Sequence, residues 1–133
     1  MNVPTAVSFP RNEVERLKKY CLVKSFQLGE FLFKQKDQPD GCFYIVSGQL
    51  VTQYYDADVS TDIALEYYGK GDLVGAMSLI ADEPRAMTVK VTEAAEVLFL
   101  SVSKLEELEK IDELAYQEFL KLFNASLIQR LRK

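Results

Sequence analysis

The residues with chemistry to offer lie close together, in the stretch 71–91, GDLVGAMSLIADEPRAMTVKV. Gly71-Asp72 is a Gly-Asp turn, Gly75 is a second glycine, residues 77–80 form a short apolar segment, and Arg85 follows Pro84. A glycine turn beside a short helix leaves backbone N–H groups free to point at an anion, and a guanidinium can close the other side. The chemistry this pattern predicts is recognition of a phosphate-like group. A plainer reading also exists, in which Arg85 is a surface arginine paired with Asp82 or Glu83, a contact of little energetic weight. Gly71 and Gly75 would then be turn and bulge glycines.

Catalysis finds no support. The 133 residues include no histidine, which removes Ser-His-Asp and Cys-His chemistry and argues against zinc. No nucleophile–base pair is visible. Asp37 and Asp40 read as turn formers, because no third carboxylate stands at calcium-loop spacing. No metal is therefore expected. Cys21 and Cys42 form neither a CxxC motif nor a disulfide framework and read as buried thiols of a cytoplasmic protein. The formal net charge of −4 argues against a general nucleic-acid coat, so no direct nucleic-acid contact is expected. The first residues, MNVPTAVSFPRNE, do not read as a signal peptide, and no apolar run approaches membrane-spanning length.

The elements that must position this stretch follow from periodicity. By length the chain is one domain, 1–133. Residues 1–9 read as irregular. Val14, Leu17 and Cys21 recur at helical spacing, predicting a short helix over 11–20. Phe26 to Phe33 is strand-like around a turn at 28–30. The sequence KDQPDG, 36–41, is a turn in which Pro39 fixes φ and Asp40-Gly41 tolerates positive φ. Strands are predicted over 42–46, 49–55, 62–68, 86–92 and 96–101, with a break at Ser47-Gly48 and a hairpin tip at 56–61. Many short strands ended by Gly, Pro or Asp indicate a barrel or jelly roll. From 102 the pattern is helical, with a short helix over 104–109 and a long one over 111–133. Ile111, Ala115, Phe119 and Leu122 line one face. Tyr116, Leu120, Phe123, Leu127 and Leu131 line a neighbouring one. That second stripe either packs on its own roll or forms a dimer seam. The basic end, Arg130, Arg132 and Lys133, reads as a solvated helix terminus.

Two motifs, in order, resemble those of cyclic-nucleotide-binding domains. The first runs from Gly29 to Gly48 and includes Asp37, Asp40, Tyr44 and Ile45. The second resembles the family's phosphate-binding cassette, G-D-x-F-G-E-x-A-L-x(4)-P-R-A-A-T, on Gly71, Asp72, Gly75, Leu79, Pro84, Arg85, Ala86 and Thr88. The resemblance covers residues from about 12 to 133. It implies a mainly β fold with flanking helices: a jelly-roll β-roll (a double-stranded β-helix) over about 22–101, then C-terminal helices over about 102–133. It also implies a ligand, cAMP first and cGMP or another cyclic nucleotide after it. The ligand-binding set it implies is Gly75, Ala76, Met77, Ser78, Arg85, Ala86, Met87 and Thr88, with Arg85 on the phosphate. Ala86, the residue after the arginine, is of the kind commoner in cAMP-binding members. Phe119, Phe123 and Asn124 on the last helix are candidates for capping the base.

One position departs from the family. The cassette glutamate, which accepts from the ribose 2′-hydroxyl, is Ala76. A charge-assisted bond of that kind is worth about 1.5–3 kcal/mol, so its loss would weaken cAMP roughly 10- to 150-fold unless Ser78, Glu66 or a water replaces it. The resemblance thus supports a regulatory sensor, not an enzyme, that relays ligand binding through its last helix. The partners expected are a homodimer mate through residues 112–132 and an output domain beyond Lys133, if the natural protein continues. One alternative is a degenerate module of the same fold that binds no nucleotide and serves dimerisation or interaction. A metal-dependent cupin shares the jelly-roll class, but the missing histidines count against it. On this reading Arg85→Ala is expected to remove nucleotide affinity with little effect on stability.

Overall fold

The computed structural model describes residues 14–131, and for Arg130 and Leu131 the backbone only. The expected irregular start, the first residues of the predicted N-terminal helix and the last two residues of the basic end lie outside the described residues. The remainder of that helix is a single 3₁₀ turn, Leu17–Tyr20. Six strands follow: β1 (Leu22–Phe26), β2 (Phe31–Phe33), β3 (Gly41–Asp56), β4 (Thr61–Tyr68), β5 (Leu73–Val74) and β6 (Thr88–Ser101). Between β5 and β6 lies α1 (Ala76–Ala81), and the chain ends in α2 (Val102–Ile111) and α3 (Glu113–Leu131).

All pairing is antiparallel. The main path runs β1-β6-β3-β4, with β2 also on β6 and β5 also on β3. Two long strands therefore do the work that the sequence assigned to four shorter ones. The predicted break at Ser47-Gly48 is a bulge, because β3 stays paired to β6 on both sides of it through three register shifts between Ile45 and Leu50. Gly48 is needed there: its φ is +97°, and an added Cβ would collide with Ala95 and the Ala94 carbonyl.

Alternation along these strands sorts the core into two compartments. Phe43, Ile45, Leu50, Val74, Val91 and Val97 fill the inside of the roll. Cys42, Leu73 and Leu100 point the other way, into a second cluster with Leu17, Leu105 and Leu108, Ala76 and Leu79 of α1, and Ala115, Phe119 and Leu122 of α3. Burial pushes the Cys42 thiol up to about 12, so it stays protonated.

The long C-terminal helix divides where the sequence shows no Gly or Pro. Asp112 leaves the helical region (φ −153°, ψ 84°) and caps α3, its Oδ1 accepting from Ala115 N at 3.1 Å and its Oδ2 from the Tyr20 hydroxyl at 2.7 Å. Glu118 ties α3 to the N-terminal turn, its Oε1 accepting from Leu17 N at 2.8 Å. Of the second apolar stripe, Tyr116, Leu120 and Phe123 are half-buried against the helical cluster. Leu127 is half-buried and Ile128 is exposed.

Candidate functional site

The site forms where two turns meet. Asp37 closes the turn after β2, its Oδ2 accepting from Lys34 N at 2.9 Å. Backbone bonds then join this turn to the segment before β6: Lys36 N donates to Arg85 O at 2.7 Å, and Arg85 N donates to Asp37 O at 2.8 Å. This clamp directs the Arg85 side chain inward, where the residue is only 2% exposed.

Inside, Nη1 donates to Gly75 O at 2.6 Å and to Ser78 Oγ at 3.0 Å, and Nη2 donates to Gly41 O at 2.6 Å. The guanidinium lies over the Phe33 ring, 3.9 Å from its centroid. Asp40 is the ion-pair partner, at 3.6 Å, rather than Asp82 or Glu83. Its carboxylate is 76% exposed, so solvent weakens the compensation it gives a buried cation. Burial lowers the guanidinium's pKa from its ordinary value, and the carboxylate of Asp40 opposes that shift. The Nε is buried and has no hydrogen-bond partner among the described residues. A buried, still-charged group with an orphaned donor is an arrangement that favours an anion.

Gly75 is shaped to this arginine. Its φ is +86°, and an added Cβ would stand 2.8 Å from Arg85 Nη1 and 3.1 Å from the Phe33 ring. The glycine also caps α1, which stops at Asp82, itself left-handed at φ +55°.

Arg85 lines a mostly apolar pocket of about 120 Å³. Of the residues predicted from the sequence, Gly75, Ala76, Met77, Ser78, Arg85, Ala86 and Met87 meet in its wall. Thr88 does not: it opens β6, and its Oγ1 accepts from Gln35 N at 2.8 Å. Nor do the predicted base-capping residues. Phe119 is part of the helical core, Phe123 packs on that core, and Asn124 is exposed; α3 contributes Ser126 to the wall instead. Phe33, Thr52, Tyr68 and Val89 line the pocket without having been singled out as site residues. The alternation of β4, with Glu66 and Tyr68 on the face opposite Ile63, Leu65 and Tyr67, was the available signal for Tyr68.

Residues 23–112 match the family model described as the cyclic nucleotide-binding domain. The chain belongs to the cyclic nucleotide-binding domain family. Its regulatory relatives include the cAMP-dependent protein kinase type II regulatory subunit of Drosophila melanogaster, 30% identical over 108 residues, which are 80% of this chain and 28% of that subunit. The anaerobic regulatory protein of Bacillus subtilis is 30% identical over 94 residues, 70% of this chain and 39% of that protein. The chain thus spans well under half the length of these relatives. In fold it matches the c-di-GMP responsive global regulator of Xanthomonas campestris, with a TM-score of 0.79 at 22% identity over 89% of this chain and 57% of the other. The Thermus thermophilus catabolite activator protein gives 0.73 at 22% identity, covering 98% and 55%. The family is a regulatory, cyclic-nucleotide-binding one, and Arg85 and Gly75 stand in the wall of the pocket. Among the described residues no group of three His, Cys, Asp or Glu side chains could hold a metal, and no helix is long and apolar enough to cross a membrane.

Proposed function

We propose that this domain binds cAMP in the pocket of Arg85 and relays its occupancy through α3 to an output domain or a second copy of the chain. The observation that carries the reading is the buried Arg85 guanidinium in the pocket wall, with Nε unpartnered. A cyclic phosphate would add to the solvent-weakened counter-charge of Asp40 and offer an acceptor to the guanidinium. The relay is supported by shared packing. Ala76 and Leu79 of α1 sit in one core with Ala115, Phe119 and Leu122 of α3, and Ser126 of α3 lines the pocket. Coupling requires α3 to have a second position that the ligand binds differently, and a ligand that contacts α1 or Ser126 would discriminate between two such positions. Arg85 carries the phosphate, Gly75, Ala86 and Met87 border the sugar-phosphate, and the Ser126 face of α3 covers the opening. The α3 stripe of residues 112–132, with Ile128 exposed beside Leu127, is the proposed homodimer surface.

A second reading has its own observations. The wall at Ala76 is apolar, and Gly75 O, Ser78 Oγ and Gly41 O already accept from both Nη atoms. A module whose arginine is held by its own backbone and Ser78 would bind no nucleotide and serve dimerisation or interaction. Calorimetric titration with cAMP and cGMP separates the two. Saturable binding of either nucleotide, abolished by Arg85→Ala, supports the sensor; no heat from either supports the interaction module.

A further inference from the structure

The pocket has a second charged wall residue, and it comes from β4 rather than from the cassette. Glu66 and Tyr68 stand on the same face of β4, and both line the pocket. The Tyr68 hydroxyl donates to Glu66 Oε1 at 2.7 Å, so the phenol orients the carboxylate. The Glu66 backbone is held as well. Its N–H donates to Thr52 Oγ1 at 3.1 Å, and the same hydroxyl donates to Glu66 O at 3.4 Å. Thr52 is itself a buried wall residue, next to the register shift between Thr52 and Gln53. Bulges of this kind re-aim neighbouring side chains. The cassette, by contrast, presents only a methyl group at Ala76, which is 4% exposed and packed in the helical core.

We infer that Glu66, oriented by Tyr68, is the specificity-determining acceptor of this pocket. Its carboxylate takes a hydrogen bond from an O–H or N–H donor of the bound cyclic nucleotide, the task left undone at Ala76. The inference rests on the nucleotide reading above. A carboxylate offers about four acceptor positions, so it accepts from Tyr68 and from a ligand together. It also repels a phosphate. A ligand that brings only an anion meets Arg85 favourably and Glu66 unfavourably, whereas one that also brings a donor is selected. The donor has two possible sources in a cyclic nucleotide, the ribose 2′-hydroxyl and the N–H edge of the base.

The experiment titrates the chain with cAMP, cGMP and 2′-deoxy-cAMP, comparing wild type with Glu66→Gln. The substitution keeps the side-chain shape and an acceptor for Tyr68. Glu66→Gln should weaken the preferred nucleotide by roughly 3- to 10-fold, the charge-assisted part of the bond, because the amide oxygen still accepts. If the donor is the ribose hydroxyl, wild type binds 2′-deoxy-cAMP weaker than cAMP, and Glu66→Gln narrows that difference. If the donor is on the base, the difference narrowed is that between cAMP and cGMP. Tyr68→Phe should shrink the same difference, and it serves if Glu66→Gln does not fold. Equal or tighter binding by Glu66→Gln, with the nucleotide preferences of wild type intact, overturns the assignment alone. Failure of wild type to bind any of the three overturns the nucleotide reading and this inference with it.

Discussion

Arg85 decides most of what this domain can do, and its contacts revise one expectation. A surface arginine could be removed with little effect on stability. Here, truncation leaves Gly41 O and Gly75 O without their donor in a buried setting, which costs about 1–3 kcal/mol for each unsatisfied group. Arg85→Ala should therefore lower the melting temperature as well as remove affinity. The affinity loss is about 2–5 kcal/mol if the guanidinium is the phosphate's cationic partner. Thermal melts and titrations of the same preparation check both halves, and a variant as stable as wild type would contradict the contacts described. Gly75→Ala acts on the same centre by another route. A methyl at φ +86° costs about 1–3 kcal/mol in backbone strain and must push the guanidinium aside. Denaturant unfolding should show that loss, and titration should show weakened nucleotide binding; unchanged values for both would mean that the glycine is dispensable.

At the scale of elements, the hinge between α2 and α3 is held by Asp112. The Tyr20 hydroxyl, and after it Ala115 N–H, holds the Asp112 carboxyl below its usual pKa. The folded state thus favours the ionised form. That contribution is complete above the unfolded carboxylate pKa of about 3.9 and is lost as pH falls through the depressed folded value. Asp112→Ala should lower the melting temperature at neutral pH, and the gap to wild type should narrow as the pH drops below about 4. A gap independent of pH would show that the cap works through geometry alone. This hinge also shows what local pattern could not reveal. At the break Asp112 caps α3 locally through Ala115 N and is anchored from far away in the chain by the Tyr20 hydroxyl, whereas the sequence from 111 onward reads as one unbroken helix. The jelly roll was legible in part: the 56–61 tip marks a real turn and strand alternation marks the faces, but the turn expected at Pro39 and Asp40-Gly41 lies earlier, at Gln35-Lys36, where Lys36 takes φ +79° and Gly41 already opens β3. Strand continuity was not legible, because Gly48 reads as a terminator while the β6 ladder carries β3 through it as a bulge. The cassette half of the pocket could be read because it is contiguous in sequence. The Arg85 partners Phe33, Asp40 and Gly41, and the wall residues Thr52, Tyr68 and Ser126, come from distant segments that only the fold brings together.

For the molecule as a whole, the account joins a pocket to a helix through one shared core, and two expectations belong to that scale. The first is assembly. Leu120 packs partly on its own roll, so the dimer surface is better tested at Leu127 and Ile128. A homodimer through α3 would bring these residues against their copies, and Leu127→Glu with Ile128→Glu should give a folded monomer, because facing carboxylates are desolvated and repel. Sedimentation at micromolar concentration is the check, and a monomeric wild type would mean that α3 does not pair two copies. The second is the central claim, that a cyclic nucleotide is held by Arg85. It is tested most directly by calorimetric titration of wild type with cAMP, with the melting temperature followed at saturation. The account predicts saturable binding, a rise in melting temperature equivalent to about 2.7 kcal/mol at 100 times the dissociation constant, and loss of both in Arg85→Ala. Binding that survives in Arg85→Ala, or a wild type that takes up no cyclic nucleotide at all, would contradict it.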